Sequence, residues 1–343
     1  MAVALPALTS LLALVMAVLL VDQWRERRRS FQLAWAFGMF SYSIGSAAEA
    51  VIAANGCVEL ADRAWYLAGA LWTPAWLGLG TALLLAKTRF GYTYAVLLLF
   101  SGLIALVVRN SANYAGAGPL PLLYLLVAVL LALAIGVESY FGSERWARFA
   151  VAGVIGATIL SIGLMAVTAL PAPGCVIDAN GQLVGTNMPG YLRLLAPVLN
   201  FTGGLSLLLG AVFSAYVFIP KKRVLDYSLD AGQKGDVFLF NLLIAPIAIV
   251  VNLVASLPAA ARALVTGKLH SRVPATILIA IGAFIPTFTD SLLLTGSAQL
   301  FGLGKFLGVV FLLAGFLVSI EVFHEIRVPF TKVRLAVARR ERD

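Results

Sequence analysis

Residues 1–21 read MAVALPALTSLLALVMAVLLV, an apolar run without a single charged side chain. The run fits either a secretory signal peptide or a first membrane helix. A signal peptide needs a basic stretch ahead of its apolar core and a small-residue cleavage site behind it. No Lys or Arg precedes this run and no such cleavage site follows it. It is therefore expected to be a membrane span, since ~20 apolar residues in a helix cross a ~30 Å hydrocarbon core.

Runs of the same kind recur along the chain. They fall at 31–54, 64–86, 92–108, 120–140, 148–170 and 191–219, with three more near 237–257, 274–296 and 299–324. Hydrophobic residues make up 61% of the 343 positions and charged residues only 12%, against ~25% charged in soluble domains. So little polar surface cannot cover the apolar remainder, and lipid must. The expected fold is all-α, a polytopic transmembrane helix bundle.

A net charge of +9 would point a soluble protein toward nucleic acid. Here the basic residues sit in short connections and in the C-terminal tail rather than on one extended surface. They report orientation and contact with anionic lipid instead, and no nucleic-acid partner is expected. Around the first seven runs, alternate connections hold twelve Lys or Arg (Arg25, Arg27, Arg28, Arg29, Lys87, Arg89, Arg145, Arg148, Lys221, Lys222, Arg223, Lys234) against three (Arg63, Arg109, Arg193). By the positive-inside rule the N-terminus is outside and the loop after Pro220 cytoplasmic. The tail beyond His324, with Arg327, Lys332, Arg334, Arg339, Arg340 and Arg342, belongs on the cytoplasmic side too. The membrane is expected to be a plasma membrane of the bacterial inner-membrane type.

An even number of crossings must then lie beyond residue 236, yet three apolar runs remain. The weakest is 237–258, VFLFNLLIAPIAIVVNLVASLP, which carries Asn241, Asn252 and two prolines and has basic residues on both flanks. It is expected to be re-entrant or interfacial, giving nine crossings; an ordinary tenth span is the alternative. Broken backbone at membrane depth is tolerated only where protein or a wet cavity covers it. The chain thus divides into a seven-span N-terminal bundle (1–220), a cytoplasmic linker (221–236), a C-terminal membrane section (237–324) and a basic tail (325–343). The tail has the character of an interfacial helix.

Ionisable residues within spans are expensive, on the order of 2.5–3.5 kcal/mol at a helix centre, and are functional candidates by default. Glu49, Glu138, Asp290, Lys305 and Glu321 qualify. Glu138 and Glu321 lie near cytoplasmic ends, where interfacial salt bridging accounts for them. Glu49, Asp290 and Lys305 fall at similar depth in the outer half, and Arg63 and Arg193 can lean toward them by snorkelling. The sequence therefore suggests an outward-facing polar vestibule; the alternative is a set of separately satisfied bundle residues.

Two stretches add to that picture. In the third run, Trp65, Gly69, Trp72 and Trp76 share a stripe at helical spacing, with Pro74 between the last two. Trp72 and Trp76 lie deeper than an aromatic belt requires, so they are candidates to line an apolar or cation-binding pocket; filling of gaps between helices is the competing account. In FIPTFTDSLLLTG (284–296), Asp290 stands beside Pro286, Thr287 and Thr289. An acid next to a proline-broken helix is a common way to build a solute or ion site. Glu49 shares a face with Gly38, Ser41 and Gly45, and small residues there permit close helix approach and turn Glu49 toward protein.

Cys57 follows the second run and Cys175 the sixth, both on the outer side by the charge count, where a disulfide can form. Two unpaired thiols are the alternative. With only His270, in a basic loop, and His324, at a helix end, a bis-His haem is not expected. Gly302, Gly304 and Lys305 imitate a P-loop fragment, but Gln299 and Phe306 stand where Gly and Ser or Thr belong. Neither a metal nor a cofactor is expected, and no catalytic signature appears. Three function classes remain: a small-solute or ion transporter or solute-binding bundle, a sensor acting through a separate protein partner, and an accessory subunit of a larger membrane assembly or homo-oligomer.

Overall fold

The structure is a computed structural model that describes residues 2–109, 116–170, 175–177, 183–228, 235–266, 270, 272–293, 298–319, 326–327 and 334–335. In chain order the elements are α1 (Ala4–Arg27), α2 (Ser30–Asn55), α3 (Glu59–Ala64), a π-helical stretch (Trp65–Trp72), α4 (Thr73–Leu84), α5 (Phe90–Val108), α6 (Leu120–Tyr140) and α7 (Trp146–Val167). There follow a short hairpin, β1 (Cys175–Ile177) with β2 (Leu183–Thr186), then α8 (Gly190–Arg193), α9 (Leu195–Phe218), α10 (Gly235–Val265), α11 (Arg272–Leu293) and α12 (Ala298–Val318). Among the described residues nine helical segments are long and apolar enough to cross a membrane. The protein is an all-α multi-pass membrane bundle.

Short connections force neighbouring helices to run antiparallel. Arg28 takes a left-handed conformation (φ 53°) and its N–H bonds to Trp24 O at 2.8 Å, so the chain reverses in two residues. Gly56, at φ 79°, ends α2 in the left-handed region that a glycine enters without steric penalty. In the first turn of α4, Pro74 has no N–H to offer the preceding turn. The backbone takes the wider π form there, and Thr73 Oγ1 donates to Ala68 O at 2.8 Å.

Two apolar cores lie side by side. One, from Tyr66 and Leu71 through Tyr94, Ile135 and Trp146 to Leu199, joins the π-helical stretch and α4 to α9. The other joins α1, α2, α11 and α12 through Met16, Leu20, Trp35, Met39, Ile279, Leu312 and Phe316, and reaches α4 and α9 at Leu77 and Leu207. The last two helices therefore close onto the first two. Trp35 pins the seam, its indole donating to Leu77 O at 3.0 Å and its ring lying 4.8 Å from Phe316. Gly45 meets Gly69 backbone to backbone: a Cβ at Gly45 would sit 2.5 Å from Gly69 Cα.

The stretch 237–258, expected to be re-entrant or interfacial, is helical throughout. It lies within one unbroken 31-residue helix, α10, that contains both Pro246 and Pro258. Asn252 and Ser256 have partners in the preceding loop. Asn252 Oδ1 accepts the N–H groups of Val224 (2.7 Å) and Leu225 (3.0 Å), while its Nδ2 donates to Leu225 O at 2.8 Å. Ser256 Oγ accepts from Lys222 N at 2.9 Å. The opposite side exposes Phe240, Leu243, Ile247, Val250, Val254 and Leu257, a stripe suited to lipid. In the tail, Ile326–Arg327 pairs antiparallel with Arg334–Leu335; the rest of the segment expected to be an interfacial helix, and Glu321 before it, lie outside the described residues.

Candidate functional site

The close approach of α2 to the π-helical stretch turns the Glu49 face inward, and Glu49 is buried at 6% exposure. Its partner comes from the far end of the chain. Lys305 of α12 is nearly as well covered, and its Nζ donates to Glu49 Oε2. The ammonium also lies 4.3 Å from the centroid of the Phe301 ring, a cation–π contact that partly replaces lost hydration. Tyr42 of α2 donates its hydroxyl to Lys305 O at 3.1 Å. An acid and a base 256 residues apart in sequence thus tie the second helix to the last.

Removed from water, either charge alone would be costly; together they bury no net charge. Glu49 lies six residues before Asn55, where α2 ends, about 9 Å along a helix at 1.5 Å per residue. The pair therefore sits below the disulfide-bearing end of the bundle rather than at its rim.

Neither Arg63 nor Arg193 pairs with Glu49 or Lys305 among the described residues. Arg63 pairs with Glu59 at 2.7 Å and donates to the carbonyls of Met165 and Thr168. It caps the C-terminal end of α7, where exposed carbonyls attract a cation. Arg193 ends the one-turn helix α8 and makes no ion pair among the described residues. Asp290 falls on α11, and its side chain lies outside the described residues.

Trp72 and Trp76 act as a seam. Trp72 Nε1 donates to Ser161 Oγ at 3.0 Å and Trp76 Nε1 to Thr158 Oγ1 at 3.1 Å, both on α7. Phe37 of α2 packs on the same rings, 4.4 Å from Trp76 and 6.1 Å from Trp72. Both indole N–H groups are satisfied, so the stripe holds α7 against the π-helical stretch and α4.

Cys57 and Cys175 are joined by a disulfide, with Cα atoms 5.6 Å apart. Cys175 lies on β1, which pairs with β2, and it packs with Ala48, Ile52, Ala61 and Leu183. The hairpin is fastened over the ends of α2 and α3. Among the described residues no group of three or more His, Cys, Asp or Glu side chains could hold a metal ion.

Sequence inspection passed over Tyr42, Phe301, Thr158 and Ser161. The two hydroxyls stand three residues apart, as Trp72 and Trp76 stand four apart, so matched spacing on two helices was the available signal. Tyr42 and Phe301 carried none that sets them apart from other apolar-helix aromatics. No protein-family model matches the chain, and neither a curated protein nor a solved structure matches it.

Proposed function

We propose that the protein is a small-solute or ion transporter, or a solute-binding bundle of the same build, working through the Glu49–Lys305 pair. The reading includes an orientation: the disulfide-bearing end faces outward, and the basic loops and tail face the cytoplasm, which puts the pair in the outer half of the membrane. The observation that carries it is the pair itself, a charged couple buried between two helices from opposite ends of the chain that are each long and apolar enough to cross a membrane. Such a couple is a pre-formed exchange site. A cation or proton arriving at Glu49, together with an anion at Lys305, replaces each partner without leaving a net buried charge, whereas opening the pair without replacement exposes both penalties. A solute carrying both signs fits that requirement best. Because the pair joins α2 to α12, exchange would also release one contact between the first and last helices, the kind of two-state element transport needs.

The test is flux into proteoliposomes, using a panel of amino acids, sugars and alkali-metal ions with empty vesicles as baseline. The expected result is uptake of at least one member that is lost in Glu49→Gln and in Lys305→Met while both variants remain folded. Uptake equal to empty vesicles for the whole panel, or uptake unchanged in both variants, overturns the reading.

A further inference from the structure

A cavity of about 390 Å³ lies between α5, α6, α7 and α9, with Ala75 of α4 at its back. It does not touch Glu49 or Lys305. Its wall is hydrocarbon nearly throughout, and the polar groups that border it are mostly occupied elsewhere: Tyr124 donates to Tyr191 O at 3.3 Å and Thr202 to Ser101 Oγ at 3.0 Å. The exception is Tyr94, which is buried at 2% exposure, lines the cavity, and makes no hydrogen bond among the described residues.

The α7 wall is built from small residues, including Ala150, Gly153, Gly156 and Ala157. In a membrane such a face ordinarily serves close helix packing. Here it does not. A Cβ added at Gly156 would meet nothing within 4 Å, and one at Gly153 would meet only the Leu131 side chain, at 3.0 Å. Elsewhere α7 is held by the Trp72–Ser161 and Trp76–Thr158 bonds and by Arg63 at its C-terminal end. The slot is braced open, and the small residues leave room in it.

The slot opens sideways. Leu123 and Val127 of α6 and Phe149 and Leu160 of α7 line it and are exposed, so the slot is open along α6 and α7, two helices long and apolar enough to cross a membrane. Its α7 wall runs from Phe149 to Leu160, about 16 Å at 1.5 Å per residue, which is half of a ~30 Å hydrocarbon core. That is the depth one leaflet's acyl chain spans. We propose that the slot between α6 and α7 binds one acyl chain of a bilayer phospholipid, entering laterally from the membrane, with the Tyr94 hydroxyl available to a carbonyl of the bound lipid. This site is independent of the exchange proposed at Glu49 and Lys305.

The test uses the full-length protein in phosphatidylcholine vesicles containing a phosphatidylcholine whose acyl chain carries a photoactivatable diazirine, with crosslinks mapped by mass spectrometry. The expected result is labelling of the deep wall, at Leu98, Ala128 and Leu199, in addition to the lipid-facing residues Ile155 and Ile159. Gly156→Leu places a side chain into the slot from a position with space for it, and deep-wall labelling should be lost while Ile155 and Ile159 label as before. Labelling confined to Ile155 and Ile159 in the wild type overturns the proposal. So does deep-wall labelling by a diazirine fatty acid but not by the phospholipid, and so does deep-wall labelling that persists in a folded Gly156→Leu variant.

Discussion

The Glu49–Lys305 pair makes a quantitative prediction. Glu49→Gln leaves Lys305 buried against Phe301 with its carboxylate gone; Lys305→Met leaves Glu49, at 6% exposure, without its ammonium. Removing one partner of a buried pair destabilises by about 3–5 kcal/mol, whereas replacing both by uncharged groups of similar volume is often close to neutral. Each single variant is therefore expected to lose about 3 kcal/mol, toward the low end because the pair is shallower than a helix centre. The double variant Glu49→Gln/Lys305→Met should lose about 1 kcal/mol, chiefly from imperfect packing beside Tyr42. The interaction energy from the four proteins is then several kcal/mol, far outside the ~0.5 kcal/mol scatter of independent sites. Reversible unfolding in mixed micelles, followed by tryptophan fluorescence, supplies the four stabilities. If a single variant accumulates poorly, the cycle shows itself as recovery of folded protein in the double variant. Additive losses, or single losses below about 1 kcal/mol, would mean that the two charges are solvated separately, and the pair would no longer serve as an exchange site.

Three further outcomes follow from the packing. Trp72→Phe and Trp76→Phe keep the rings against Phe37 but remove the donors to Ser161 and Thr158, so each should cost about 1 kcal/mol in the same unfolding measurement; a neutral effect in both would deny the seam. Gly45→Ala forces a Cβ to 2.5 Å from Gly69 Cα and should cost about 1–3 kcal/mol, while Gly156→Ala, with nothing within 4 Å, should be neutral or slightly stabilising; equal effects would contradict the packing. Cys57→Ser/Cys175→Ser opens a crosslink spanning 118 residues, for which chain entropy gives an upper bound of about 5 kcal/mol. Because the intervening helices stay confined by the bilayer, a smaller loss of thermal stability is expected, and intact-mass analysis of the unreduced wild type should show no free thiol.

The helices were legible because lipid imposes one demand on every span: enough apolar residues to satisfy the backbone internally across the hydrocarbon. That demand is local and shows in any window of the sequence. Helix neighbours are a different matter, because an apolar lipid-facing residue and an apolar core residue look alike. Val154 and Ile155 are adjacent valine-like residues of α7, yet one is buried and the other exposed. Charges escape this ambiguity, since each needs a partner, and Glu49 and Lys305 were therefore visible as candidates at matching depth from their positions in their runs. What depth cannot supply is azimuth. Arg63 and Arg193 stood at a suitable level, and the structure directs Arg63 to the carbonyls that end α7 instead.

The stretch 237–258 shows the same limit from the other side. Asn241, Asn252, Pro246 and Pro258 read as a broken helix because each is unfavourable in isolation within hydrocarbon. Asn252 can stay in a regular helix because the backbone of residues 224 and 225 supplies two donors and an acceptor to its amide, and Ser256 is satisfied in the same way from Lys222. The compensating groups lie in a loop 27 to 34 residues upstream, and no local pattern announces that such a loop will fold back onto the helix. Interior prolines remove hydrogen bonds without obliging a break where the rest of the ladder holds. Polar residues in an apolar run thus mark where a partner is required, and whether the partner is a loop, another helix or a solute is decided by tertiary placement. For Asn252 it is a loop; for Glu49 it is the Lys305 ammonium, brought from the far end of the chain.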